Sequence, residues 1–100
     1  MFDIQKDGQH RVVVSGRLDA ANAEKALAFL QGIEGHCEID MTALEYISSA
    51  GLGVLLRTHK RLSDEGNGLR LVNVNLHIRD IFTYAGFDKL VEIEDAGTQG

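Results

Sequence analysis

The chain has 100 residues and a net charge of -5, with 44% hydrophobic and 25% charged residues. This length predicts one domain with a single core, and this composition argues against disorder. The acidic balance disfavours nucleic acid as a partner, because such a site would work against the field of the whole molecule. We expect a single domain over residues 1–100, with a core at about 3–95 and a flexible tail at 96–100.

The start of the sequence has none of the features of a signal peptide, and no apolar run is long enough to span a membrane. Cys37 is the one cysteine. An internal disulfide therefore cannot form, and nothing indicates an oxidising compartment. We expect a cytoplasmic protein that does not insert into a membrane.

The first half of the chain predicts two strands, a helix and a third strand. Strands at 2–5 and 10–16 flank an Asp7-Gly8 hairpin signal. Asp19 is predicted to cap the helix, because aspartate is a favoured N-cap residue and apolar residues follow at helical spacing. Segment 36–41 alternates cleanly between polar and apolar residues, which predicts a strand with Cys37, Ile39 and Met41 on its dry face.

The second half continues the alternation of helices and strands. A helix is predicted to begin near Ser48, to pack through one apolar face and to stop at Gly66. This face consists of Leu52, Leu55, Leu56, His59 and Leu62. Segment 69–74 predicts a strand, Asn75 caps a helix that runs to Ala85, and 90–93 predicts the last strand. The fold class is therefore α/β, a small mixed and mostly parallel sheet with helices mainly on one face.

The sequence lacks the residue patterns of common catalytic and metal sites. The four histidines are His10, His36, His59 and His77, and none has metal-ligand spacing to another histidine or to the cysteine. Gly51-Leu52-Gly53 lacks the ending of a phosphate-binding loop, and no Gly-x-Ser-x-Gly motif occurs. We predict a protein that is not an enzyme and that needs no metal or cofactor.

The segment from Asp40 to Leu56 points to function, because it joins a strand to a serine-bearing helix start. The hydroxyls of Ser48 and Ser49 can cap free backbone N–H groups, which is a structural role. A phosphate at either serine would lie at the positive end of the helix dipole, which is a regulatory role.

Two glycines and the predicted helical wheel add candidate partner contacts. Gly51 and Gly53 either permit tight helix–strand packing or leave bare backbone for another protein, and their spacing does not decide between the two. The wheel places Gly53, Val54 and Arg57 in solvent just after the serines. An exposed valine beside a modifiable serine is a candidate contact.

Two segments resemble the STAS domain, in particular the anti-sigma-factor antagonists of bacterial partner-switching systems. They are Gly16-Arg17-Leu18-Asp19 and Asp40 through Leu56, and the order of strands and helices agrees over about 3–95. The resemblance implies a protein that binds an anti-sigma factor, itself a serine kinase, and that loses this partner when phosphorylated. A metal-dependent serine phosphatase would reverse the modification. ATP belongs to the kinase, so no cofactor is implied for this chain.

The resemblance also assigns residues. The family phosphoserine falls on Ser49, with Ser48 as second choice because the serines are adjacent. The residues that would bind the partner or shape the site are Asp19, Ser48, Ala50, Gly51, Gly53, Val54 and Arg57. Arg17 and Ser48 occupy positions where the family often has acidic residues. The alternative is a constitutive STAS scaffold subunit of a signalling or transport assembly, which would never be phosphorylated.

Overall fold

Residues 1–96 are the part of the chain that the computed structural model describes, and they form five strands, three α-helices and a 3₁₀ turn. The strands are β1 Phe2–Lys6, β2 Arg11–Leu18, β3 Cys37–Ile47, β4 Leu69–Val74 and β5 Glu92–Asp95. The helices are α1 Ala23–Gln31, α2 Ser49–Asp64 and α3 Leu76–Tyr84, and the 3₁₀ turn is Phe87–Lys89. Ala96 donates its N–H to the Val74 carbonyl at 2.9 Å. The rest of the predicted tail lies outside the described residues.

The strands are arranged in the sheet in the same order as along the chain, from β1 to β5. The predicted hairpin is confirmed, because β1 is antiparallel to β2. The other neighbouring pairs are parallel. Right-handed crossovers between successive neighbours place every connecting helix on the same face of the sheet. The predicted mixed α/β fold is thus confirmed.

The apolar face of the sheet packs against the helices. Cys37, Ile39 and Met41 of β3 are at most 1% exposed and point to this face, as the alternation predicts. They belong to one core cluster that also contains Leu55 of α2 and Phe82 of α3. The helices are therefore joined to the sheet by a single hydrophobic core.

The opposite face of the sheet carries ion pairs across neighbouring strands. Arg11 pairs with Glu38 and Asp40, and Arg70 bridges Glu38 and Glu94. These side chains alternate along their strands with the buried apolar ones. The ion pairs give the charged groups of this face partners of opposite sign. Because they are partly exposed, they add little to the free energy of unfolding.

The first helix begins later than predicted, and the prediction that Asp19 caps it is wrong. The N-cap of α1 is Asn22. Asp19 instead begins a turn, in which its carbonyl accepts the Asn22 N–H at 3.1 Å. Three turn residues, 20–22, precede the first helical residue. The helix propensities of these residues do not predict that the helix begins after them. Asp19 is therefore a loop residue.

The buried face of α2 is also rotated relative to the prediction. Val54, predicted in solvent, is 4% exposed, whereas Leu56, predicted in the core, is 44% exposed. Thr58 is buried and His59 is only half-buried. The reason is the packing of α1 against α2, which covers the side of α2 that carries Val54 and Thr58. Predicted exposure of Arg57 is confirmed.

The third helix begins and ends as predicted. Asn75 caps α3 through its side-chain oxygen, which accepts the Ile78 N–H at 2.9 Å. Gly86 follows with φ of 76°, the left-handed conformation that ends a helix. β3 is longer than predicted and continues past β4 to Ile47. The part of β3 that extends past β4 still pairs with β2 and contacts α3, where the Asn75 amide donates to the Leu44 carbonyl at 3.2 Å.

Candidate functional site

The carboxyl ends of β2 and β3 bring the two predicted functional segments side by side. Leu18 pairs with Ile47 in the parallel register, and the Leu18 carbonyl accepts the N–H of Ser48 at 3.0 Å. Binding sites of open α/β sheets are commonly found at such strand ends. The loop that contains Asp19 therefore lies beside the loop that contains the serines, as expected from their positions after neighbouring strands.

Ser48 is the N-cap of α2. Its backbone is extended, with φ of -96° and ψ of 176°, and its hydroxyl accepts the N–H of Gly51 at 3.2 Å. Its carbonyl accepts the N–H of Leu52 at 2.9 Å. The side chain is half-buried. The Ser48 hydroxyl is thus committed to holding the first turn of the helix, as predicted for a serine at this position.

Ser49 has a different environment from its neighbour. It is the first residue of α2 and it is exposed. The first turn of α2 contains no acidic residue, so the positive end of the helix dipole is not neutralised there by a carboxylate of this turn. Of the two serines, Ser49 is the more exposed.

The two glycines of α2 have different roles. A Cβ on Gly51 would lie 2.5 Å from the Leu18 carbonyl oxygen and 2.8 Å from a side-chain carbon of Ile47. Gly51 therefore permits close packing of the helix on the strand ends. A Cβ on Gly53 would meet nothing within 4 Å. Of the two alternatives that the sequence leaves open, Gly51 fits packing and Gly53 fits an approachable backbone.

A groove of about 220 Å³ lies between α1 and α2, and Ala50, the residue after Ser49, is part of its lining. It is lined by Ala23, Glu24, Leu27, Ala50, Gly53, Val54 and Arg57. Five of these seven residues are apolar, with Glu24 and Arg57 as the charged members. The groove thus contains most of the predicted partner-contact residues, although Val54 contributes to it as a buried residue.

Asp19 holds its own loop together. Its carboxylate accepts a hydrogen bond from the Asn22 amide at 3.0 Å and lies 4.0 Å from Nε of Arg17. The Asn22 amide also donates to the Arg17 carbonyl at 3.2 Å. Sequence reasoning missed Asn22, although asparagine is a favoured N-cap residue and its position before an apolar run is a usable signal.

The described residues offer no metal centre and no membrane span. No group of three or more histidine, cysteine, aspartate or glutamate residues in 1–96 could hold a metal ion. In the same range, no helix has both the length and the apolar character to cross a membrane. What the site does present is a reachable hydroxyl at a helix start, beside an apolar groove and an aspartate loop.

The sheet order and this helix start define a class of small α/β domain with a serine-bearing loop at the carboxyl ends of its parallel strands. The family model described as "Mlab, STAS domain" matches residues 2–92. The chain therefore belongs to the STAS domain family.

Two bacterial proteins described as anti-sigma factor antagonists are similar to this chain in sequence. The chain is 35% identical to BtrV of Bordetella bronchiseptica over 85 residues, which cover 81% of this chain and 73% of BtrV. It is 31% identical over 96 residues to the anti-sigma-B factor antagonist of Listeria monocytogenes, with 91% and 84% of the two chains covered.

The fold is also similar to that of SpoIIAA, a Bacillus cell-fate determinant and anti-sigma factor antagonist. The unphosphorylated form of SpoIIAA gives a TM-score of 0.70 at 21% identity, over 97% of this chain and 90% of that chain. The phosphorylated form gives 0.69 at 21% identity, over 99% and 93%.

Proposed function

We propose that this STAS domain is an anti-sigma-factor antagonist that switches partners through phosphorylation of Ser49. In the unmodified state it binds an anti-sigma factor that is also a serine kinase. Phosphorylation releases that partner, and a metal-dependent serine phosphatase restores binding. The domain itself catalyses nothing, and its place of action is the cytoplasm. The similarity to the Listeria antagonist supports the general role.

The observation that carries the proposal is the contrast between the two adjacent serines. The Ser48 hydroxyl is occupied as a helix cap, whereas Ser49 is exposed at the first helical position. A kinase needs a hydroxyl that it can reach, and modification of Ser48 would remove a cap worth about 0.5–2 kcal/mol. Ser49 is therefore the proposed acceptor.

The helix start lets the free domain tolerate the modification. A phosphate carries about -1.5 to -2 charges at neutral pH. At an exposed helix N-terminus each charge is stabilised by roughly 0.3–1 kcal/mol. The first turn of α2 has no carboxylate that would repel it. Phosphorylation should thus leave the fold intact.

The same phosphate would oppose the complex. The groove beyond Ser49 presents Gly53 as open backbone and Ala50 as part of an apolar wall. A partner seated on Ala50, Gly53 and Arg57 would cover Ser49 and strip water from a phosphate there. An unpaired buried charge costs far more than the helix dipole returns. A change of about 5.5 kcal/mol in differential affinity reverses a population from 99:1 to 1:99.

The test uses the purified chain, a candidate anti-sigma-factor kinase and ATP. Intact mass should rise by one phosphate, and fragmentation should place it on Ser49. In titration calorimetry Ser49→Ala should keep the affinity of the wild type, stoichiometrically phosphorylated protein should lose it, and Ser49→Asp should lose part of it.

Two results would overturn this function. A phosphate on Ser48, or none at all, contradicts Ser49 as acceptor. Equal affinity of the kinase for the unmodified and phosphorylated chains contradicts the switch and leaves the constitutive STAS scaffold as the better function.

A further inference from the structure

The pairing of β2 with β3 changes register just before the serine loop. Gly16 pairs with Leu44, but Arg17 pairs with Tyr46, so Glu45 is an extra residue on β3. Such bulges re-aim side chains and are frequent beside functional sites. Here the bulge places Arg17 directly opposite Tyr46, one position before the strands reach the serine loop.

Arg17 is held in a defined orientation by two neighbours. Its Cζ atom lies 4.4 Å from the centroid of the Tyr46 ring, which is within the range of a cation–π interaction. Its Nε atom lies 4.0 Å from the Asp19 carboxylate. The guanidinium group therefore lies over the aromatic ring and close to the aspartate loop.

Arg17 nevertheless keeps the capacity to bind a further anion. Its side chain is 51% exposed, and the ion pair to Asp19 is the one it makes within residues 1–96. An exposed ion pair at this distance is weak. A guanidinium offers five donors, of which Nε faces Asp19. The two terminal NH₂ groups match the two oxygens of a second carboxylate.

We propose that Arg17 is a specificity residue that pairs with a carboxylate on the protein docked over the serine loop. This inference rests on the proposed function, since it names the chemistry of one contact in that complex. The domain carries a net charge of -5, so an acidic surface is repelled over most of it. Arg17, together with the exposed Arg57 of the groove, then favours acidic partner groups at this end of the domain.

The test measures the affinity of a candidate anti-sigma-factor kinase for unmodified variants by calorimetry at several salt concentrations. Arg17→Gln should weaken binding roughly tenfold or more and flatten the salt dependence. Arg17→Lys should lie between, because it keeps the charge without the planar guanidinium group. Tyr46→Leu should weaken binding alone but add nothing to Arg17→Gln, because Tyr46 acts through Arg17.

Lys6→Gln is the matched control. It removes the same charge from an exposed residue that pairs with Val12, at the opposite end of β2 from Arg17. This variant should bind like the wild type. Circular dichroism confirms that each variant is folded.

The outcomes separate this inference from the function on which it rests. If the wild type neither binds the kinase nor accepts phosphate, the proposed function fails, and the proposed contact of Arg17 fails as well. If the wild type binds and Arg17→Gln binds equally well, the function stands and the inference is wrong.

Discussion

The carbonyl oxygen of Leu18 occupies the space into which a side chain on Gly51 would project, 2.5 Å from the Cβ position. The same oxygen accepts the N–H of Ser48. One backbone atom of β2 therefore positions both the cap and the first turn of α2. The serine loop is held by main-chain geometry rather than by long side chains.

Gly51→Ala should destabilise the domain. The methyl group would contact backbone, which cannot rotate away, so α2 must shift from the sheet at a cost of about 1–3 kcal/mol. Gly53→Ala is the matched control: it has open space and should stabilise the helix by up to about 1 kcal/mol. Urea unfolding measures both. A Gly51→Ala variant as stable as the wild type contradicts the close contact with Leu18.

Substitution of the two serines by alanine should change the unfolding free energy by different amounts. Ser48→Ala removes the hydroxyl that accepts the Gly51 N–H and should cost about 0.5–2 kcal/mol of unfolding free energy. Ser49→Ala changes an exposed residue and should stay within about 0.5 kcal/mol of the wild type. Thermal unfolding of the two variants side by side makes the comparison. Equal losses would show that Ser48 is not the cap.

Arg61 should be a strong stabilising residue of α2. Its NH₂ group donates to the carbonyls of Leu30 and Ile33, both at 2.9 Å, and so ties α2 to the end of α1. Hydrogen bonds from a charged group contribute about 1.5–3 kcal/mol, so Arg61→Ala should lower stability by that order. Arg57→Ala, one turn earlier and exposed, should be nearly neutral. Similar urea midpoints for the two variants would contradict this bridging role.

Cys37 should be chemically inert in the folded protein. It is 1% exposed, and burial raises the pKa of its thiol to about 11. Reaction with a thiol reagent at pH 8 should be slow in the native state and fast in guanidinium, because only the thiolate reacts. Rapid labelling of the native protein would contradict this burial.

The same thiol gives a pH dependence with a defined sign. The unfolded chain ionises near the ordinary cysteine pKa of about 8.5, whereas the folded chain holds its proton to about pH 11. The stability contribution is therefore complete below about pH 8.5 and is lost as the pH rises toward 11. Unfolding free energy should fall more steeply over this range in the wild type than in Cys37→Ala. Parallel profiles would contradict a raised pKa.

Local signals in the sequence predicted the elements that local chemistry determines. Asn75 and Ser48 cap their helices through their own side chains, and the alternation at 37–41 marks the dry face of β3. The strand–helix alternation and right-handed crossovers then fix the topology. The sequence thus predicts the fold and the position of the serine loop.

The features that the sequence did not predict depend on contacts between distant segments. Val54 is buried because α1 lies beside it. A helical wheel drawn from the α2 sequence does not show where α1 packs. The bulge that sets Arg17 against Tyr46 is a property of two strands in register. The Asp19 turn is stabilised by Asn22 rather than by a helix start. Tertiary packing decides each of these cases.

The consecutive strand order has a consequence for the way the domain folds. Each strand finds its partner in the strand just before it, but only β1 and β2 are joined by a short turn. The parallel pairs join segments that are separated by a helix, so each of them costs more chain entropy to close than the hairpin does. The β1–β2 hairpin can form before the rest of the chain leaves the ribosome, and each later helix–strand unit adds to an existing edge. We therefore expect the hairpin to form first and the parallel pairs to close more slowly, with β5 as the last strand to gain protection from hydrogen exchange.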